Sequence, residues 1–292
     1  MEESLIKANL VSMDSIISNN YFSLYPTLHL SYKLSDVTEL QLNYSRRANR
    51  PEDDELNPFP EYQDPRNIRS GNPHLKPEFI HSVEFGFQWQ NESFTFVPSI
   101  FYRNKYNGFT VVTSPLNDST LLTTRQNLSK DQSAGVELVA VGGIGKIFNT
   151  NMSVNGFYEE IDASNLGYAN NKSTITWSGN ISCNLNFPTS TMVQLNSNYR
   201  SSRLTPQGKT SPTFVVNLGI RQDVFDDKLS LIFTWSDIFN TLKRETVLDT
   251  QWLHQISISR RNSQTLYLGV TYHLGNNNKK SKEKALQYDN SL

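Results

Sequence analysis

Around the segment Ala48–Lys76 the chain gathers the side chains best suited to holding a ligand. Arg46, Arg47, Arg66 and Arg69 stand near Phe59 and Tyr62, in a stretch stiffened by Pro51, Pro58, Pro60, Pro65 and Pro73. Guanidinium forks bind anionic and hydroxyl-bearing groups, and aromatic rings stack on flat ones, so ligand capture is one reading. The other is architectural: the prolines shape a lid that binds nothing. Long irregular loops are ordinarily functional or disordered, and the sequence leaves both readings open.

Elsewhere the chemistry is sparse. Asp53-Asp54-Glu55 offers the oxygen ligands of a hard cation, but an acidic run in a loop is ordinarily just solvated. His29, His81 and His273 lack the closely spaced partners of a metal site and read as polar residues facing a lumen. Cys183, the only cysteine, sits in an apolar phase and reads as a small hydrophobe, with no disulfide or cysteine-based zinc cluster available. Gly142-Gly143-Ile144-Gly145 is glycine-rich, but no helix pattern follows, so it reads as a turn and not as a phosphate cradle. No catalytic constellation, metal site or cofactor is implied, and an enzyme is not expected.

The elements that would position these groups are strands. Leu28, Leu30, Tyr32 and Leu34 alternate with His29, Ser31 and Lys33, and Phe79, Val83, Phe85, Phe87 and Trp89 form one phase of a later run. The most regular run sets Ile175, Trp177, Ile181, Cys183, Leu185 and Phe187 against Thr174, Thr176, Ser178, Asn180, Ser182, Asn184 and Asn186. Period-2 alternation of this kind predicts about twelve strands, several near the ~9–11 residues that cross a bilayer. Helical periodicity is nearly absent. Tight turns at Ser35–Val37, Asn91–Ser93, Gly142–Gly145, Pro188–Ser190 and Asp226-Asp227 alternate with long polar loops at Ala48–Lys76, Thr113–Thr120, Asp162–Ser173 and Ser201–Pro212. Short turns on one rim and long loops on the other is the pattern of an outer-membrane barrel. Aromatics gather towards strand ends, as at Tyr21, Phe22, Tyr44, Phe79, Trp89, Tyr158, Phe187, Tyr199, Phe225 and Tyr272, where interface girdles lie. A soluble β-sandwich or propeller is the alternative, with the same alternation and an apolar face turned to a core.

Composition is consistent with the membrane reading. Hydrophobic residues make up 37% of 292 residues, and the mean hydropathy of -0.51 suits strands with only one lipid-facing side. A formal net charge of -1 gives no footprint for nucleic acid.

The segments Tyr44–Pro51, Leu56–Phe59 and Gly71-Asn72-Pro73-His74-Leu75-Lys76-Pro77-Glu78 resemble the outer-membrane β-barrel family of Bacteroidota TonB-dependent receptors. Gly135-Val136-Glu137-Leu138, Ser236-Asp237-Ile238-Phe239-Asn240-Thr241 and Thr265–Leu274 fit it too, in the right order over nearly the whole chain. The resemblance implies a 22-stranded barrel in the cell outer membrane, of which this is the C-terminal portion. The plug domain and TonB box that the family carries are missing here. It further implies import of a scarce small-molecule or glycan ligand (siderophore, cobalamin or glycan). The partners would be outer-membrane lipid, the barrel assembly machinery, and the TonB complex through the missing plug. Gly269, Tyr272 and Leu274 resemble the last-strand signal read by that machinery, although Leu274 stands where an aromatic is common and a tail follows. The expected division is a barrel over 1–275 and a polar, disordered periplasmic tail over 276–292, with Lys279, Lys280, Lys282 and Lys284. Met1-Glu2-Glu3-Ser4 lacks the basic and apolar regions of a signal peptide, which is read as a truncated or split gene product. A structural or adhesive barrel remains the functional alternative.

Overall fold

A computed structural model describes residues 2–10, 15–168 and 172–274. It opens on a hairpin of β1 (Glu2–Leu10) and β2 (Ser15–Ser23), which pair with each other and not with the main sheet. Met1 and Val11, which flank β1, lie outside the described residues. The tail 276–292 also lies outside them.

The main sheet begins with β3 (Thr27–Ser35) and β4 (Thr38–Asn49). A short helix α1 (Asp53–Leu56) and the strands β5 (Glu61–Asp64) and β6 (Asn67–Arg69) leave it before β7 (Glu78–Gln90) and β8 (Phe94–Tyr106) return. The hairpin β9 (Phe109–Asn117) and β10 (Thr120–Asn127) departs next, followed in the sheet by β11 (Lys130–Ile144), β12 (Phe148–Asp162), β13 (Lys172–Phe187) and β14 (Thr191–Arg200). β15 (Arg203–Thr205) and β16 (Gly208–Thr210) leave, β17 (Thr213–Val224) and β18 (Leu229–Ser236) rejoin, and β19 (Lys243–Asp249) and β20 (His254–Arg260) leave again before β21 (Thr265–Tyr272). The result is an eleven-stranded antiparallel meander in the order β3-β4-β7-β8-β11-β12-β13-β14-β17-β18-β21. Five short turns lie on what we term the inner rim, and five long excursions on the outer rim. The excursions build two further four-stranded sheets, β5-β6-β10-β9 and β15-β16-β19-β20.

Two local expectations need correction. The segment Thr113–Thr120 is not an irregular loop but the distal part of the β9–β10 hairpin, turning at Asp118-Ser119. Gly142 and Gly143 are not turn residues: β11 runs through Ile144, and the turn starts at Gly145.

Which face meets lipid follows from register. Trp177, Ile181, Leu185, Leu195, Leu231, Leu268 and Val270 share the convex face and are exposed, with Phe233 half-buried beside them. Thr176 and Thr234 on the opposite face are buried, and Asn184 and Asn196 half-buried. No second sheet covers the apolar wall among the described residues, which removes the sandwich alternative. The buried apolar cluster lies instead at the outer rim, where Leu128, Ile161 and Ala163 pack with Leu166, Tyr168 and Leu204.

Aromatic bands mark both ends of the wall. Trp177 stacks on Tyr199 at 4.1 Å, Tyr199 leads to Phe214 at 6.5 Å, and Phe214 to Phe239 at 6.3 Å. Trp89 and Phe94, 5.9 Å apart, belong to the inner band with Phe187 and Tyr272. From Trp177 to Phe187 the strand rises ~33 Å at ~3.3 Å per residue, or about 25 Å of height at a tilt of ~40°. That is the height of an outer-membrane apolar band. His81 belongs to this convex wall, between Tyr44 (6.2 Å) and Tyr106 (6.0 Å), which corrects its expected lumen-facing position. Its odd number places it in phase with Phe79 and Val83. His29 pairs with Asn43 on the concave phase, as expected.

Candidate functional site at the outer mouth

The connection between β4 and β7 is folded, not irregular. Glu52 and Glu55 form a capping box around α1, and the buried Glu55 carboxylate meets the Arg125 guanidinium of β10 at 2.8 Å. Gly71 and Asn72 donate their N–H groups to the carbonyls of Asn57 and Glu55 at 2.8 and 2.6 Å. Only glycine fits at 71, because a Cβ would sit 2.5 Å from the Asn57 oxygen. Asn127 clamps Lys76, accepting from its N–H and donating to its C=O, both at 2.9 Å, and Leu75 is 1% exposed beneath. The segment is thereby fixed onto the β9–β10 hairpin.

A side chain bridges the two outer sheets. The buried Gln207 amide accepts from the Thr113 N–H at 2.7 Å and donates to the Thr113 C=O at 2.6 Å, as a neighbouring strand would. It also donates to the Tyr168 hydroxyl at 2.7 Å; burial pushes that phenol up, and this hydrogen bond opposes the shift. Past β18, Asp237 forms a second knot at a left-handed φ of 44°. Its carboxylate accepts from Ser263 Oγ at 2.7 Å, Thr241 N at 2.9 Å and Leu242 N at 3.0 Å. Burial alone would raise this carboxyl, but the hydrogen bonds outweigh it and hold the group below the usual aspartate range.

Below these sheets the concave wall opens into a cavity of about 660 Å³. Asp64, Lys105, Asp131, Glu159, Arg203 and Arg244 supply its charges, and Phe109, Leu128, Ile161 and Leu204 part of its apolar lining. A smaller hollow of about 330 Å³ shares Lys105, Glu159 and Arg203 and continues down the wall past Arg103 and Glu137. Lys105 Nζ meets Asp131 Oδ2 at 2.6 Å, and the Arg103 guanidinium lies 4.2 Å over the Phe101 ring. A mixed-charge, partly apolar recess at the mouth of a polar wall is suited to holding a small ligand.

A match to the outer membrane protein beta-barrel family spans residues 1–272. The chain belongs to that family. Solved structures agree in fold. The copper transporter OprC shares 12% identity at a TM-score of 0.59, over 89% of this chain and 41% of that one. The siderophore receptor PirA from Pseudomonas aeruginosa shares 15% at 0.54, over 77% and 40%. The ferric yersiniabactin uptake receptor FyuA from Yersinia pestis shares 12% at 0.57, over 87% and 38%. The chain thus spans about two fifths of the length of these proteins. A comparison with curated proteins finds no match.

In this outer-membrane barrel wall the sequence-predicted ligand residues do not come together. Arg46 lies in the convex phase, its guanidinium 4.9 Å from the Phe79 ring centroid and donating to the Leu24 C=O at 2.9 Å. Arg47 is on the concave phase and exposed. Phe59, Tyr62 and Arg66 are exposed on the outer excursion, and Arg69 lies 3.9 Å from Asp54. None of the six lines the cavity, where Gln63, Asp64 and Asn67 do so instead. Of the acidic run, Glu55 and Asp54 are engaged by arginines, and no metal-binding cluster occurs among the described residues. The cavity's charged residues were missed, although Lys105, Asp131 and Glu159 all stand on the concave phase near outer strand ends. On β21, Tyr272 is in the convex phase and Gly269 in the concave one. Tyr267 lays its ring over Gly269, 3.0 Å from where a Cβ would stand.

Proposed function

We propose that this chain is the C-terminal barrel portion of a TonB-dependent outer-membrane receptor that imports a scarce small-molecule nutrient. The observation that carries this reading is the half-wall itself: eleven strands, apolar outside and polar within, leading to a charged recess at the outer mouth. Phe59, Tyr62, Arg66 and Arg69 on the outer surface would make first contact with the ligand, and the recess would hold it. Energy would come through a lumen-filling segment outside this chain, so these residues alone would not transport. Gly269, Tyr272 and Leu274 would serve recognition by the barrel assembly machinery. The adhesive alternative draws on Trp252, which is 81% exposed at the tip of the β19–β20 hairpin.

Growth on single limiting nutrients tests the import reading. Deleting the parent protein and deleting TonB should give the same defect on one of a panel of ferric siderophores, copper, cobalamin, glycans and peptides. Unimpaired growth on all of them, with loss of surface attachment, would favour the adhesive barrel.

A further inference from the structure

The mouth cavity contains unmet electrostatic demand. Asp131 is 7% exposed, and Lys105 satisfies only its Oδ2; Oδ1 is buried with no hydrogen-bond partner. Glu159, 8% exposed and lining the same cavity, has no hydrogen bond on its carboxylate among the described residues. Buried carboxylates left this way are costly and call for a donor, preferably a charged one. The opposite demand stands nearby. Arg203 and Arg244 are exposed in the cavity lining; Arg203 interacts electrostatically with Glu159, but neither arginine makes a salt bridge within 4.0 Å among the described residues. Asp64, the remaining acid on the lining, is already occupied by Asn67 Nδ2 at 2.8 Å and the Arg66 N–H at 2.8 Å. The apolar part of the lining comprises Phe109, Val111, Leu128, Ile161, Leu204 and Leu248.

We infer that this cavity takes a small zwitterion with an apolar body, of the amino-acid or short-peptide class. Its ammonium is held by Glu159, beside the Lys105–Asp131 pair, and its carboxylate by Arg203 and Arg244. A neutral glycan would bring no charge to either group, and a purely anionic chelate would face Glu159 unfavourably. The volume of about 660 Å³ is ample for a few residues of peptide. The ligand class rests on the import reading, whereas the binding site itself does not.

The test uses the full-length parent receptor in detergent and equilibrium dialysis with labelled leucyl-leucine. N-acetyl-leucyl-leucine lacks the ammonium and leucyl-leucine amide lacks the carboxylate. Free leucyl-leucine should bind saturably, and each capped form about ten-fold or more weaker, the scale of one charge-assisted hydrogen bond. Glu159→Gln, nearly isosteric, should weaken the free and amide forms and leave the acetylated form unchanged. The double variant Arg203→Ala with Arg244→Ala should do the converse. Heat-modifiable migration confirms that each variant folds. Capped and free forms binding alike, or a folded receptor that binds no dipeptide, would overturn the inference. TonB-dependent growth on another nutrient without dipeptide binding would overturn the ligand class and leave import standing. Dipeptide binding that obeys the capping pattern, with no TonB-dependent growth phenotype, would support the site while import fails.

Discussion

Asp237 shows how much a single side chain can organise at the outer rim. Its carboxylate takes three short hydrogen bonds, its N–H donates to Asn217 Oδ1 at 2.8 Å, and Phe239 two residues later joins the aromatic band. Asp237→Ala would strand the Thr241 and Leu242 N–H groups, and we expect a local cost of ~2–4 kcal/mol. Hydrogen exchange at those two amides reads this directly. The pH dependence follows in sign from a carboxyl held below its unfolded value. Its stabilisation is complete above the unfolded value of ~3.9 and is lost only as pH falls through the lower folded value. Protection of both amides should therefore persist from neutral pH down to about pH 4 and fail in stronger acid, while Asp237→Asn should show no such acid step. Loss of protection near pH 6 in the unmodified protein would contradict the assignment.

At the scale of elements, legibility depended on what each face meets. β13 could be read from Ile175 to Phe187 because lipid on one side and a polar lumen on the other enforce strict alternation. β9 and β10 carry no such contrast, since both faces meet water or other outer excursions, so their hairpin passed for a loop. The clamp of Gln207 on Thr113 joins residues 94 positions apart and leaves no local trace. His81 was readable by parity and was misassigned because polarity was given more weight than phase. The Ala48–Lys76 segment showed its prolines and arginines but not its docking, which depends on Arg125 and Asn127 of another excursion. Gly71 tests that docking. Gly71→Ala would drive a Cβ into two backbone carbonyls, at 2.5 and 2.6 Å, and neither can move without releasing α1. The expected cost is ~1–3 kcal/mol, seen as new protease cleavage between Arg50 and Pro77. Gly156→Ala, whose Cβ would meet nothing closer than 3.9 Å, should cleave like the unmodified protein. Equal susceptibility of both variants would mean that the segment is not held by this contact.

At the scale of the whole molecule, strand direction governs completion of the barrel. β3 runs into the short turn before β4, and β21 ends with Tyr272 opposite Leu229, so both edge strands of the sheet point to the inner rim. Antiparallel outer-membrane barrels need an even number of strands. This sheet has eleven, so joining β21 to β3, within one copy or between two, would set parallel neighbours side by side. The complement must bring an odd number of strands whose own edges run to the outer rim. Unpaired edges cost several kcal/mol per unsatisfied group in lipid, so the sheet alone should not persist there as a closed wall. β21 is then the strand that waits for its partner, and at its inner-rim end Tyr272 is 60% exposed and Leu274, two residues past the strand, 90%. Neither residue has much packing to lose. In the parent protein, Tyr272→Ala and Leu274→Ala should nevertheless reduce heat-modifiable barrel in outer-membrane fractions several-fold more than Leu231→Ala at mid-strand, if assembly reads these side chains. Equal losses would leave only packing. Cells making these 292 residues alone should give neither heat-modifiable barrel nor TonB-dependent uptake, and supplying the complementary strands in trans should restore the barrel. Uptake without the complement would require a closure that eleven alternating strands do not permit, and the half-barrel account would fail with it.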